Sequence, residues 1–244
     1  MRVEVSERIE YIEGQENPIS SEVVIVKGDN AIWIYDVGTS DEAFDAISEL
    51  ILDMDSGRDV NIVISHFHKD HMGNLDRIAK IPVTGKCVNL YVSSYTYERS
   101  KTGIIVDNDI TIDDGVKIHI FKMPSTHSKG CLCMEAGGEV VCVGDAVFPA
   151  YKKLENEKTG EMSACVDVFV NKDDYKHQYK VYNVQHLKNQ IDMLNSIEST
   201  KIFMSHEKRP IAKKAVIVKF LESIYAKREQ NNPLILIGEG RCIF

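Results

Sequence analysis

Short apolar stretches rich in β-branched residues alternate with amphipathic segments along most of the chain, and this pattern is typical of a layered α/β protein. Glycine, asparagine and aspartate separate neighbouring stretches, as expected for hairpin turns. The pattern predicts strands at 23–26, 31–36, 60–64, 88–92, 110–112, 116–121, 132–135, 140–143 and 202–204.

Apolar residues at helical spacing predict several helices between these strands. Ser40 or Asp41 can cap the first of them, because either side chain can accept a hydrogen bond from the first helical turn. The helices are predicted at 41–52, 75–80, 179–197 and 212–227. Strands mixed with helices in both halves favour α/β over all-β architecture.

The most informative polar run begins where the strand 60–64 ends. Residues 66–71 read His-Phe-His-Lys-Asp-His, and imidazole and carboxylate are the usual protein ligands of zinc, iron and manganese. In an extended segment His66 and His68 point the same way, whereas Asp70 and His71 follow after a bend and can face a second position. The segment after this strand could therefore supply ligands to two neighbouring metal ions.

Three further candidate ligands lie downstream, and each of them directly follows a predicted strand. They are His127, Asp145 and His206. Functional groups of layered α/β proteins often lie on loops at strand ends, where a rigid scaffold holds them. Together with the first run they predict a metal site.

With these residues the sequence resembles the metallo-β-lactamase superfamily, from about residue 20 to about residue 210. The resemblance implies a four-layer αββα sandwich of two mixed β-sheets flanked by helices. It also implies that His66, His68 and His127 hold one metal and that Asp70, His71 and His206 hold the second. Asp145 would bridge the two.

The expected activity is that of a dinuclear metal hydrolase acting on a small ester, thioester, lactone or phosphoester. A hydroxide between the metals would be the nucleophile, and Asp70 would act as the catalytic residue that orients it or accepts its proton. Asp36 could fix a ligand histidine by accepting its ring N–H, or could be a plain strand-end cap. Zinc is the default metal, with manganese and iron as alternatives.

Two other classes stay open at this point. The first is a mononuclear iron-dependent oxidoreductase that is similar to the persulfide dioxygenases of the same fold. The second is a protein that keeps the metal pocket for sensing or for partner binding. The antibiotic-degrading members of the superfamily are exported and typically do not use an aspartate at the bridging position, so that activity is not expected here. Acyl-homoserine lactonase-like enzymes match this chain better in length and ligand pattern.

Composition limits the remaining expectations. A chain of 244 residues with 43% hydrophobic content is expected to form one domain, 1–244, with a lid or a charged surface loop at 148–180. The net charge of −8 argues against nucleic acid as a partner, and no apolar run suggests a membrane. We expect a cytoplasmic protein with reduced cysteines and a small-molecule substrate, whereas the oligomeric state stays undetermined.

Overall fold

The computed structural model describes residues 1–53, 57–125, 127–149, 164–165, 168–170, 178–206 and 210–239. The strands are β1 (Arg2–Glu4), β2 (Ile9–Ile12), β3 (Gln15–Glu16), β4 (Ile19–Ser20), β5 (Val23–Lys27), β6 (Ala31–Tyr35), β7 (Asp59–Val63), β8 (Val88–Val92), β9 (Ile104–Ile105), β10 (Ile110–Asp113), β11 (Lys117–Lys122), β12 (Leu132–Ala136), β13 (Val140–Cys142), β14 (Phe148–Pro149), β15 (Ala164–Cys165), β16 (Val168–Val170), β17 (Gln178–Asn183), β18 (Lys201–Phe203), β19 (Ile211–Lys213) and β20 (Leu234–Glu239). The helices are α1 (Asp41–Leu52), α2 (Lys69–Met72), α3 (Leu75–Ile78), α4 (Ser94–Ser100), α5 (Val184–Ser196) and α6 (Lys214–Tyr225).

Two mixed sheets form the centre of the molecule. Among the described residues the first sheet has the order β1-β2-β5-β6-β7-β8-β9, and the second has the order β10-β11-β12-β13-β18-β19. Strands β6 to β9 of the first sheet are parallel, as are β13 and β18 of the second, whereas the other neighbours in these two sheets are antiparallel. The predicted pair of mixed sheets is therefore present.

Three apolar clusters define four layers. Side chains such as Trp33 and Leu132 fill the space between the sheets. The outer face of the first sheet packs against α1, where Ile47 is fully buried. The outer face of the second sheet packs against α5 and α6, where Leu194 and Leu221 are buried. Because each strand alternates its side chains between two faces, a strand buried on both faces gives the near-continuous apolar runs seen in the sequence.

Helix α1 shows how local signals set one of these layers. The Ser40 hydroxyl accepts a hydrogen bond from the Ala43 amide at 3.2 Å, and Asp41 and Glu42 place negative charge in the first turn. Ala43, Ile47 and Ile51 repeat every four residues and are buried against the first sheet.

Two predicted helices begin later than expected. The segment predicted as helix 179–197 starts with β17, which pairs with β16 and β20, and α5 begins at Val184. Asn183 ends the strand and caps the helix, because its side chain accepts a hydrogen bond from the His186 amide at 2.9 Å. The segment predicted as helix 212–227 starts with β19, where Ala212 pairs with Ile202 of β18. Cross-strand pairing therefore overrides the helical spacing at both places.

The predicted lid at 148–180 lies for the most part outside the described residues. Within it the structure describes the backbone of β14, β15, β16 and the first part of β17. None of the described helices is long and apolar enough to cross a membrane.

One edge of the sandwich collects the carboxyl ends of β6, β7, β13 and β18, because neighbouring parallel strands end on the same side. The two sheets are joined at this edge by the Leu132 amide, which donates to the Ser65 carbonyl at 2.8 Å. The Tyr35 hydroxyl adds a second link by donating to the Leu132 carbonyl at 2.7 Å. The loops that follow these strands therefore converge.

The opposite edge is joined by the carboxylate of Asp114, in the turn between β10 and β11. Its Oδ1 accepts hydrogen bonds from the amide and side chain of Asn30 at 2.7 and 2.9 Å. Its Oδ2 accepts from the Ala31 amide at 3.1 Å and from Trp33 Nε1 at 3.0 Å. Burial alone would raise the pKa of Asp114, but these hydrogen bonds hold it below its usual range.

We predict that Asp114→Asn lowers the free energy of unfolding by about 2 kcal/mol near neutral pH, because an amide cannot accept from all four donors. Since folding depresses the pKa of Asp114, its contribution is present above the unfolded pKa of about 3.9 and is lost as the pH falls through the folded value. Urea unfolding of both proteins between about pH 7 and pH 3 measures the difference, which should shrink below about pH 4.

The exposed neighbour Asp113 provides the control, because Asp113→Asn changes the same charge without breaking this network. Equal losses in the two variants, or a difference that stays constant down to about pH 3, would contradict the role given to Asp114.

Candidate metal centre

The structure brings all seven candidate ligands together at the edge where β6, β7, β13 and β18 end. The first four lie in the segment after β7, which bends at His68 into α2. The others lie in the loop between β11 and β12, in a 3-10 turn after β13 and directly after β18. The residues are His66, His68, Asp70, His71, His127, Asp145 and His206.

The first group consists of three imidazoles and one carboxylate oxygen. His68 Nδ1 lies 2.9 Å from His66 Nε2 and 3.0 Å from His127 Nε2. His127 Nε2 lies 3.2 Å from Asp145 Oδ2. All four donor atoms fall within 4.8 Å of one another.

The second group shares Asp145 and adds another carboxylate. His206 Nε2 lies 3.0 Å from Asp70 Oδ2 and 3.2 Å from His71 Nε2. His71 Nε2 lies 3.2 Å from Asp145 Oδ1. The two groups therefore use different oxygens of the same buried carboxylate.

Asp145 is nearly inaccessible to solvent, and its Oδ1 makes no hydrogen bond with any residue that the structure describes. Burial alone would raise the pKa of this carboxyl, but the neighbouring His71, His127 and His206 hold it well below its usual range. A buried carboxylate oxygen without a donor is costly unless a cation approaches it. The position of this oxygen therefore fits a bridge between two cations.

Glycine allows the turn that presents Asp145. Gly144 has φ +52, and a Cβ there would lie 2.7 Å from the Cβ of Ser65. The loops after β7 and β13 can approach this closely because no side chain separates them.

Asp36 and Ser65 contact the Nδ1 side of the His71 ring, opposite the nitrogen that faces the second group. Asp36 Oδ2 lies 2.8 Å from His71 Nδ1, while Asp36 also accepts from the amide and the hydroxyl of Ser65 at 2.7 and 2.8 Å. The ring N–H toward Asp36 leaves Nε2 facing the second group. Burial lowers the pKa of His71, but Asp145 and Asp36 outweigh it and raise the pKa well above its usual value.

His206 is held in an uncommon backbone conformation, with φ +63, and Asp36 shares this feature with φ +59. The His206 amide donates to Glu22 Oε2 at 2.9 Å. Burial lowers the pKa of His206, but the nearby carboxylates of Asp145 and Asp70 outweigh it and raise the pKa to about 9. Two non-glycine residues with positive φ at one site indicate that surrounding contacts enforce its geometry.

Solvent reaches the centre beside Asp70 and His127. His66 and His71 are fully buried, and burial lowers the pKa of His66 well below its usual value. By contrast, the side chains of Asp70 and His127 are 18% and 22% exposed. A ligand would therefore enter beside Asp70 and His127, and this open side is where chemistry can occur.

Sequence reasoning missed three residues that support the centre: Ser65, Glu22 and Gln190. Ser65 precedes the histidine run, so its position after a strand was a usable signal. Glu22 and Gln190 are distant along the chain and carried no signal. Cys133 of β12 belongs to neither donor group. It is buried in the core, and this burial raises the pKa of its thiol.

The spacing of the donor atoms fits a bound metal. Ligand atoms at about 2.0–2.1 Å from a tetrahedral zinc ion lie roughly 3.3–3.4 Å from one another. The converging nitrogens of the two groups lie 2.9, 3.0 and 3.2 Å apart, slightly closer than this. Two His/Asp clusters that share one carboxylate are consistent with a dinuclear metal site.

Comparisons with known proteins identify the fold and the family of this chain. No curated protein matches the chain by sequence, whereas many solved structures match it. One is a metallo-beta-lactamase from Pontibacter korlensis, with 14% identity over 91% of this chain and 98% of that chain and a TM-score of 0.60. Another is the metallo-beta-lactamase FIM-1 from Pseudomonas aeruginosa in its mono-zinc form, with 15% identity over 93% and 95% of the two chains and a TM-score of 0.60. A third is a peroxy diiron species of the chemotaxis sensor ODP, with 13% identity over 91% and 93% of the two chains and a TM-score of 0.62. At these identities the likeness shows the fold.

The model of the metallo-beta-lactamase superfamily matches residues 17–179, which is more than half of the chain. The two mixed sheets with flanking helices are the α/β fold of that family. The chain therefore belongs to the metallo-β-lactamase superfamily.

Proposed function

We propose that this protein is a metal-dependent hydrolase with two divalent cations, acting on a small ester, thioester, lactone or phosphoester. The observation that carries the proposal is the orientation of Asp145. Its two oxygens face two separate donor groups, and Oδ1, 3.2 Å from His71 Nε2, forms no hydrogen bond with any of the described residues. A carboxylate between two cations satisfies both features.

The donor set supports zinc first, with manganese or iron as alternatives. Imidazole and carboxylate suit all three metals, and neither described group contains a thiolate. His66, His68, His127 and Asp145 would hold one cation, and Asp70, His71, His206 and Asp145 the other. When bound, two such cations lower the pKa of a shared water and stabilise the negative charge that develops on the attacked group.

The side chains of this protein supply orientation and proton transfer. Asp36 keeps the Nε2 of His71 facing inward, and Glu22 fixes the backbone of His206. Asp70 borders the open side, and although burial alone would raise its pKa, His206 and His71 lower it. Asp70 is therefore ionised near neutral pH and can accept a proton from the attacking nucleophile.

Gln190 of α5 sets the distance between two of the site loops. Its side-chain amide donates to the Pro124 carbonyl at 2.7 Å and to the Ala146 carbonyl at 3.2 Å. Pro124 precedes His127 by three residues, and Ala146 follows Asp145. The first donor group therefore depends on a buried side chain that touches neither ligand.

A mononuclear iron-dependent oxidoreductase similar to persulfide dioxygenases is the alternative. The first donor group favours it, because three imidazoles and one carboxylate oxygen converge there without the second group. The names of FIM-1 in its mono-zinc form and of the peroxy diiron sensor ODP give a one-metal and an iron-containing example among similar structures. This alternative predicts one iron per chain and oxygen uptake with glutathione persulfide.

We predict that the zinc-loaded protein hydrolyses 4-nitrophenyl butyrate, a thioester, a lactone or bis(4-nitrophenyl) phosphate. Asp70→Asn should lower kcat on that substrate about 10²- to 10⁴-fold, because an amide cannot accept the proton. Steady-state kinetics measure the effect, with Asp76→Asn in α3 as the control. Absence of turnover across the whole panel, or an unchanged kcat in Asp70→Asn, would overturn the hydrolase assignment.

We also predict that Gln190→Met weakens metal binding at the first group about 10- to 100-fold, because the loops of His127 and Asp145 lose their common donor. Competition with a chromogenic chelator measures the affinity. Gln185→Met, on the exposed face of the same helix, is the control. If both variants bind metal as tightly as the unmodified protein, Gln190 does not position the site.

A further inference from the structure

Two cations lie over aromatic rings next to the segments that supply the first donor group. The guanidinium carbon of Arg99 lies 3.6 Å from the centroid of the Phe67 ring. The ammonium of Lys129 lies 6.0 Å from the centroid of the Tyr95 ring. We refer to Phe67, Tyr95, Arg99 and Lys129 as the cationic rim.

The chain connects this rim directly to the candidate metal ligands. Phe67 stands between His66 and His68, and its ring centroid lies 4.9 Å from that of His68. Lys129 follows His127 by two residues, so it belongs to a segment that supplies the first donor group, whereas Arg99 stacks on a ring of such a segment.

Close packing fixes the rim against the loop of His127. Gly130 has φ +72, and a Cβ there would lie 2.7 Å from Ser93 Oγ and 2.9 Å from Tyr95 Cδ2. The loop therefore rests on the beginning of α4, the helix that carries Tyr95 and Arg99. Arg99 is anchored in turn, because its Nη1 donates to the Tyr95 carbonyl at 2.7 Å.

Among the described residues, neither cation has a carboxylate oxygen closer than 4.0 Å. Arg99 comes no nearer than 4.0 Å to its exposed neighbour Glu98, and Lys129 forms no ion pair with the described part of the chain. Elsewhere, Lys27, Arg77 and Lys201 form ion pairs at 3.1, 2.8 and 2.9 Å. In a chain with a net charge of −8, these two cations remain available to an anion from solution.

We propose that the substrate carries an anionic group, a carboxylate or a phosphate, separate from the bond that is cleaved, and that Arg99 and Lys129 bind it. This inference rests on the proposed hydrolase function. Stacking on an aromatic ring restricts the guanidinium and leaves its N–H donors directed to a ligand. The rim therefore selects substrates by charge at a point beside the reacting group.

Two esters with the same leaving group test the kinetic consequence. 4-Nitrophenyl butyrate is neutral, whereas 4-nitrophenyl hydrogen glutarate carries a distal carboxylate. In Arg99→Gln we expect kcat/KM for the charged ester to fall about tenfold through KM, with less than a twofold change for the neutral ester. Lys129→Gln should act in the same direction, and Arg99→Lys should restore part of the loss.

Arg228→Gln is the matched control, because Arg228 also stacks on an aromatic ring, that of Tyr225, at 4.1 Å, but lies beyond α6. It should leave both esters unchanged. Equal losses for the two esters in Arg99→Gln would indicate a structural role and would overturn the inference.

A binding measurement decides the inference without turnover. Calorimetric titration of the zinc-loaded protein with butyrate, glutarate and 4-phosphonobutyrate compares no distal anion, a distal carboxylate and a distal phosphonate. At least one doubly charged probe should bind about tenfold more tightly than butyrate, with the gain lost in Arg99→Gln. The tighter of the two identifies the anionic group.

The kinetic and the binding experiments distinguish failure of the hydrolase proposal from failure of the anion-site inference. If no ester is cleaved but the distal anion strengthens binding through Arg99, the hydrolase proposal fails and the anion site stands. If all three probes bind alike, or if Arg99→Gln leaves their differences unchanged, the rim does not select anions and the inference is wrong.

Discussion

The buried carboxylate of Asp145 is the interaction on which the site depends. It is nearly inaccessible to solvent, held ionised by the histidines around it, and oriented so that each oxygen faces a different donor group. This arrangement brings five imidazoles and two carboxylates together in a largely buried space, where their desolvation is costly. The cost of such a cluster is offset when positive charge lies between the donors.

The fold provides this arrangement through its sheet edges. Parallel strands end on one side of each sheet, so the loops after β6, β7, β13 and β18 meet where Ser65 and Leu132 join the two sheets. At the far edge, Asp114 fixes the turns that begin β6 and β11. The sandwich is thus joined at both ends. Asp36 and Glu22 accept hydrogen bonds from His71 and His206, and Gln190 donates to the loop of Asp145, so the ligands are fixed to this scaffold.

Much of this could be predicted from the sequence, because the signals are local. Apolar runs and turn residues predicted a layered α/β protein, and the histidines and aspartates directly after strands predicted the seven residues that the structure brings together. The two mixed sheets were expected only from the resemblance to the metallo-β-lactamase superfamily. The predicted starts of α5 and α6 were wrong, because strand pairing decided residues 178–183 and 211–213. Glu22 and Gln190 could not be found, since each acts through contacts between segments far apart along the chain.

An element-resolved metal count on protein purified without chelator or added metal tests the central claim most directly. It should include the His127→Ala and Asp145→Ala variants. Two shared-ligand sites predict about two divalent ions per chain, about one in His127→Ala and fewer than one in Asp145→Ala. A single iron that survives Asp145→Ala, or no metal in the unmodified protein, would contradict a dinuclear centre bridged by Asp145.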